Sequence, residues 1–220
     1  MPNATRDLVN RLRQLSSTSL IDAQPGLRVL PATMRPIVPR RRFAGTVRTA
    51  QANRDLMSVM AALRESVAGE VLVIDVGGQD RAVAGELFAT EAQRRGLAAV
   101  VIHGRCRDSA TLANLSIPLW ATGFAPNAYP ARALPVTGVD LVLEGVPLAQ
   151  GELIVGDDDG LVVGSGAEFA SAVDAATAIE KREKALQQAI LGGASLFDSL
   201  NYDEHLAALR AGAPGGLTFS

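Results

Sequence analysis

The chain has one cysteine, two histidines, one tryptophan and two tyrosines, and each scarcity removes a class of protein. The lone Cys106 excludes an internal disulfide and fits a reducing compartment. With no histidine in motif spacing nearby, it is expected as a buried small hydrophobe and not a nucleophile. His103 and His205 have no metal-ligand spacing to one another. Charge of one sign is also missing. The formal net charge is −2, so no global field draws the chain to nucleic acid or to an anionic membrane. No N-terminal apolar stretch resembles a signal peptide, and no apolar run reaches the roughly 18 residues of a membrane helix. Gly-x-Gly-x-x-Gly and the phosphate-binding Gly-x-x-x-x-Gly-Lys-Ser/Thr are both absent. The expectation that remains is a soluble, cytoplasmic α/β protein.

What is present supports that class. Alanine, valine, leucine and glycine dominate, which suits closely packed α/β layers, and 220 residues suffice for one domain with helical extensions. Leu8, Leu12 and Leu15 mark an amphipathic helix over 4–15, and Ser16–Ser19 starts a second, short one through Ile21 and Ala23. Residues 27–42 carry three prolines and are expected to be extended. Arg40-Arg41-Arg42 lacks interleaved aromatics, so a solvated edge or an inter-subunit ion-pair site is expected in preference to a phosphate or RNA patch. Strands are predicted at 43–50, 70–75, 97–103, 118–121 and 139–143, with a hairpin over 152–163 turned by Asp158-Asp159-Gly160. Asp157-Asp158-Asp159 lacks the frame of a calcium loop. Helices are predicted at 55–66, 81–95, 108–115, 167–191 and 202–211. The close succession of strand, helix and strand argues a parallel βαβ core. The whole is expected as a single domain over 1–220 with a helical C-terminal arm from 164. The long loop 123–137 is a candidate functional segment, and Tyr129 in it a candidate pocket residue.

Chemistry concentrates between Val71 and Asp108. Glycine inside a helical pattern costs about 1 kcal/mol against alanine, so Gly85 raises a second possibility, that the helix begins there. The amides of Glu86, Leu87 and Phe88 would then be free to bind a carboxylate or phosphate. Arg107 follows Glu86 after twenty intervening residues, at the end of the next parallel strand, where ligands gather. A guanidinium facing free amides is a carboxylate receptor. Asp108 offers oxygen to a divalent cation, and Glu86 could hold one of its waters. The same residues equally fit an Arg107–Glu86 ion pair with Asp108 capping the next helix.

Glu86, twenty residues, then Arg107-Asp108, preceded by VLVID-x-GG and followed by GDDDGLVV, resembles the RraA-like family. The resemblance runs from the helix with Thr18-Ser19-Leu20-Ile21-Asp22, through FAGTV, to the charged C-terminal helix. It implies an α/β protein of the swivelling β/β/α sandwich type, assembled as a homotrimer or dimer of trimers with sites between subunits. The family includes metal-dependent 4-hydroxy-4-methyl-2-oxoglutarate and 4-carboxy-4-hydroxy-2-oxoadipate aldolases. It implies Arg107 on a pyruvyl carboxylate, Asp108 on Mg²⁺ or Mn²⁺, Glu86 ordering an acid–base water, and the Leu87 and Phe88 amides holding the carboxylate. Oxaloacetate decarboxylation is the implied companion activity. The family also contains non-catalytic regulators of ribonuclease E, which is the alternative function. Two positions depart from the aldolases: Thr111 stands where they commonly have an acid, and the carboxylate expected from a neighbouring subunit has only Glu180 and Glu183 as candidates.

Overall fold

The computed structural model describes residues 3–218. They form two compact units, one up to Ala176 and one from Thr177 onward.

The first unit opens with α1 (Asn3–Leu12) and α2 (Ser17–Ala23). Ser16 caps α2, its hydroxyl accepting from the Ser19 amide at 3.1 Å. Two-residue strands β1 (Arg28–Val29) and β2 (Arg35–Pro36) interrupt the proline-rich crossing, which is otherwise irregular. Then come β3 (Phe43–Gln51), α3 (Met57–Glu65), β4 (Glu70–Asp75), β5 (Ala82–Ala84), α4 (Glu86–Arg94) and β6 (Ala99–Cys106). After these follow α5 (Ser109–Leu112), β7 (Leu119–Phe124), the hairpin β8 (Leu141–Leu143) and β9 (Val146–Leu148), the hairpin β10 (Leu153–Gly156) and β11 (Leu161–Gly164), and α6 (Gly166–Leu191).

Strands β3, β4, β6 and β7 lie side by side and parallel at the centre of a nine-stranded sheet. Antiparallel pairs finish both sides: β10, β11 and β1 beyond β3, and β2 beyond β7. Successive strand residues face opposite sides. Leu72, Ile74, Val100 and Ile102 therefore pack under α3 and α4, while Val71, Val73, Ala99 and Val101 pack with Leu141, Leu143 and Leu148 of the β8–β9 hairpin. Hairpin, sheet and helices make three layers, the β/β/α arrangement. Each fully buried aliphatic side chain contributes about 1.5–3 kcal/mol, and the central strands supply a large share of them. A third cluster seals α1, α2 and the start of α6 against β10 and β11.

One helix differs from expectation in a way that makes the site. Residues 81–95 do not form one helix. Ala82–Ala84 is instead a strand beside the end of β6, with Ala84 opposite Cys106. The Ala82 amide donates to the Asn127 carbonyl at 2.8 Å, and the Tyr129 amide donates to the Ala82 carbonyl at 3.1 Å. These tertiary hydrogen bonds outweigh alanine's helix preference, which is a weak prior. The Gly77-Gly78 turn thus leads to a strand, not to a helix that cradles a nucleotide. The other end of α4 is as expected: Gly96 takes φ +74°, and the Leu97 amide donates to the Ala92 carbonyl at 3.1 Å, a Schellman closure.

The β8–β9 hairpin turns at Glu144-Gly145, both at positive φ, and its tip is clasped to the sheet. His103 Nδ1 lies 3.0 Å from Asp75 Oδ1 and Nε2 lies 3.2 Å from Glu144 Oε1. Asp75 and His103 are register neighbours on β4 and β6. The Asp75 hydrogen bond, ahead of that to Glu144, raises the His103 pKa above 6.5 against the opposing effect of burial. A raised histidine pKa stabilises the fold fully below the unfolded value and loses that contribution as pH climbs through the folded value. Wild type should melt a few degrees above His103→Asn at pH 6, with the gap closing as pH rises through the folded pKa. Thermal melts of both proteins from pH 6 to pH 9 check it.

The loop 123–137 is tied down. Asp55 accepts from the amides of Arg132 and Ala133 at 2.7 and 3.2 Å, and from Met57 at 2.8 Å. The second unit holds the rest of α6, a 3-10 turn at Leu196–Ser199 and α7 (Tyr202–Arg210). Phe197 and Tyr202 meet edge to face at 5.4 Å, and no residue from 177 to 218 is buried. Among the described residues no helix is long and apolar enough to cross a membrane.

Candidate functional site

The site is built where β5 and β6 end side by side. The Arg107 amide donates to the Ala84 carbonyl at 2.9 Å, extending the pairing by one step past β6. That bond sets Gly85, the residue after one strand, against Arg107 and Asp108, the residues after the other. Space decides the residue at 85. A Cβ there would lie 2.2 Å from Asp108 Oδ2 and 2.9 Å from Arg107 Cγ, so only glycine lets the carboxylate close in.

Helix α4 begins at Glu86, with Gly85 as its N-cap. Its first internal bond runs from the Ala89 amide to the Gly85 carbonyl at 3.0 Å, which leaves three leading amides to be satisfied. Asp108 takes one: its Oδ2 accepts from the Glu86 amide at 3.0 Å. Sequence reasoning had all three amides free, and the structure corrects this. The amides of Leu87 and Phe88 have no partner among the described residues. Leu87 is exposed, whereas the Phe88 ring is buried under the sheet.

Asp108 also departs from the helix-cap alternative. It occupies the N-cap position of α5 but makes no side-chain cap there; it caps α4 across space. Its backbone is left-handed, φ +63° and ψ +44°, a conformation that costs a non-glycine residue about 1 kcal/mol and that aspartate tolerates better than most. This twist swings the carboxylate back toward Gly85. Arg107 Nε lies 3.6 Å from Asp108 Oδ2, with the two side chains 46% and 37% exposed, so the guanidinium keeps open directions for a ligand. No Arg107–Glu86 ion pair forms among the described residues. Glu86 is partly exposed in the first turn of α4.

Two cavities meet at Arg107. One, of about 260 Å³, is lined by Arg107, Asp108, Ser109, Phe124, Ala125 and Pro126. The other, of about 140 Å³, is lined by apolar side chains of α3, β5, α4 and Ala128. The long loop therefore does contribute, but through Phe124–Pro126 and Ala128. Tyr129 lies instead in the core, where its hydroxyl donates to Asp80 Oδ1. Phe124–Pro126 and Ser109 carry no motif, and Leu56 and Met60 show along the chain only the apolar face of a helical pattern.

The other candidates are placed as follows. Burial pushes the Cys106 thiol up to about 12, so it stays protonated and inert. His103 belongs to the hairpin clasp. Thr111 is exposed on α5, its amide donating to the Asp108 carbonyl at 3.1 Å. Glu180 and Glu183 lie on α6 beyond Thr177, in the second unit. Arg40–Arg42, with Asp157–Asp159, line a larger cavity of about 410 Å³, but it shares no residue with those at Arg107. Asp158 there accepts from the Arg40 amide at 2.8 and 2.9 Å. Asp157 is buried and accepts from Ser17 at 2.6 and 2.8 Å, so the acidic turn is a structural element.

Asp108 can be tested as a metal ligand from its own bonding. One oxygen is committed to the Glu86 amide, and the other has no partner among the described residues. No group of three histidine, cysteine or acidic side chains able to enclose a metal occurs among them. The described residues of one chain do not by themselves make a closed zinc site. Mg²⁺ characteristically binds through one or two carboxylates and keeps several waters, and a single open carboxylate at a cavity fits that mode.

Comparisons with known proteins bear on the family and the fold. A model of the RraA-like family, described as Aldolase/RraA, matches residues 17–163. A protein of Halalkalibacterium halodurans named a putative 4-hydroxy-4-methyl-2-oxoglutarate aldolase is 33% identical over 165 residues, 74% of this chain and 79% of its own length. A Thermus thermophilus protein named 4-hydroxy-4-methyl-2-oxoglutarate aldolase is 35% identical over 67% of this chain and 90% of its own. The solved structure of the RNA-processing inhibitor RraA from Thermus is 34% identical with a TM-score of 0.64, covering 69% of this chain and 95% of that one.

Proposed function

The chain belongs to the RraA-like family, and from that premise we propose that it is a divalent-metal-dependent pyruvate aldolase. Its substrates would be 2-oxo acids of the 4-hydroxy-4-methyl-2-oxoglutarate type, with oxaloacetate decarboxylation as a companion activity. The observation that carries the reading is the junction of Gly85, Arg107 and Asp108 at the start of α4, where a half-exposed guanidinium and a carboxylate with one open oxygen line one cavity beside the helix end that bears the two free amides.

In this reading Arg107 takes the substrate carboxylate bidentately. The Leu87 and Phe88 amides, at the positive end of α4, add to that hold. Both reactions leave a pyruvate enolate, and a fixed guanidinium beside it offsets the charge that develops there. Glu86, in the first turn of α4, would order a water that moves a proton to or from the reacting carbon or hydroxyl. Asp108 would hold Mg²⁺ or Mn²⁺ through its open oxygen, and the bound ion would supply Lewis acidity toward the 2-oxo group. The homotrimer or dimer of trimers, the cytoplasmic setting and the neighbouring copy's carboxylate belong to the same proposal.

The test is turnover of oxaloacetate and of 4-hydroxy-4-methyl-2-oxoglutarate with Mg²⁺ or Mn²⁺, before and after a chelator. Activity should fall by at least about 10²-fold on chelation, the scale of removing one electrostatic stabiliser of the transition state, and return when the metal is restored. Turnover indifferent to the chelator sinks the metal-dependent reading. A second reading, a non-catalytic regulator of ribonuclease E, draws on Thr111 and on the likeness to the Thermus inhibitor. It predicts no turnover with any 2-oxo acid and saturable binding to the ribonuclease.

A further inference from the structure

Resting on the aldolase reading above, we propose that, within that reaction, the preferred substrate carries an apolar tail where 4-hydroxy-4-methyl-2-oxoglutarate carries its second carboxylate. The chain would then cleave 4-hydroxy-2-oxo acids bearing an alkyl or phenyl group, giving pyruvate and the matching aldehyde.

The division of labour between the two cavities carries this. Asp108 and Ser109, which can meet substrate oxygens, both line the 260 Å³ cavity. The 140 Å³ cavity presents Leu56, Met60, Val83, Phe88 and Ala128, and Arg107 is its one polar side chain. Arg107 is also the one cationic side chain lining either cavity. Once it holds the 2-oxo acid's carboxylate, a second carboxylate entering the slot finds no further cation in its lining and loses part of its hydration against apolar side chains, which disfavours it. An alkyl group meets the opposite situation. An apolar cavity of about 150 Å³ takes a guest as large as benzene, so a slot of 140 Å³ suits a tail of up to about six carbons.

The chemistry balances without any further reactant. The C3–C4 bond breaks and its electron pair passes to C3, forming the pyruvate enolate. The C4 hydroxyl gives up its proton and C4 becomes the aldehyde carbonyl. A proton returned to C3 completes pyruvate.

The experiment measures kcat/KM of the full chain with Mg²⁺ for 4-hydroxy-2-oxo acids of increasing tail length, beside 4-hydroxy-4-methyl-2-oxoglutarate and oxaloacetate. Each added methylene should raise kcat/KM about fourfold until the slot is full, and the best alkyl substrate should exceed the dicarboxylate by about tenfold or more. Met60, half-exposed on α3, is the position for a specificity reversal. Met60→Arg keeps helix preference and brings a second cation to the slot, so the ratio should shift toward the dicarboxylate by about tenfold. Met60→Lys repeats the test should the arginine variant fold poorly. A wild-type preference for the dicarboxylate, or a ratio unmoved in the charged variants, overturns the apolar tail while oxaloacetate turnover leaves the aldolase reading standing. Loss of turnover toward all three substrate types counts against both.

Discussion

Arg107→Ala loses about 10²–10³-fold in kcat/KM for oxaloacetate decarboxylation, the scale of removing one preorganised charge-stabilising group from a transition state. The loss should fall on kcat as well as on KM, because the guanidinium faces both the ground-state carboxylate and the charge that develops on the enolate. Arg107→Lys should recover only a small part. An ammonium is a point donor and cannot reproduce the bidentate, planar contact. Stability should hardly change, since the side chain is half-exposed and its nearest ionic neighbour is 3.6 Å away. The backbone bond to Ala84 survives either substitution. Steady-state kinetics with a melting curve for each variant check the prediction. An alanine variant as active as wild type, at unchanged melting temperature, would remove Arg107 from the mechanism.

Gly85→Ala is expected to be nearly as damaging, though the residue has no chemistry of its own. Its φ of −148° is ordinary extended backbone, so the new methyl group causes no dihedral strain. It collides instead, reaching 2.2 Å from Asp108 Oδ2, and the carboxylate must swing away. Two consequences follow from that one displacement. The cap on the Glu86 amide is lost, at about 1 kcal/mol, which lowers the melting temperature by about 2–4 °C in a domain of this size. Asp108 and Arg107 are also moved from their working positions, and a misplacement of about 1 Å costs on the order of 10²-fold in rate. Asp108→Asn should show the complementary pattern: the cap is retained through the amide oxygen, stability is close to wild type, and activity is lost with the carboxylate charge. Comparing the two variants separates the positional effect from the chemical one. Wild-type kinetics in Gly85→Ala would mean that the carboxylate's placement is irrelevant to turnover.

Much of the fold was legible because its signals are local. The apolar run Glu70–Asp75 is a strand at those same limits, and Gly96 closes α4 as a glycine after a helix should. The acidic turn after Gly156 closes the β10–β11 hairpin. The misjudged stretch, Arg81–Ala84, shows the limit. Its alanines favour a helix, and only the neighbouring backbones of Asn127, Tyr129 and Arg107 draw it into the sheet. The same limit hid the lining of the cavities. Phe124, at the end of β7, and Ala125, Pro126 and Ala128 of the loop are ordinary along the chain until the fold brings them beside Arg107.

By itself the sequence determined the α/β class, the parallel core and the spacing of Glu86 from Arg107-Asp108. Period-two burial, buried apolar runs and glycine stops are properties of short segments, and they are written where they act. Tertiary structure alone decided which atoms of that spacing work together. The left-handed turn at Asp108 and the missing side chain at Gly85 bring a carboxylate onto the first amide of α4. That amide is thereby occupied, and the next two are left open. The meeting of a polar and an apolar cavity at Arg107 was likewise decided in three dimensions, because it joins helix, strand and loop residues that are distant along the chain.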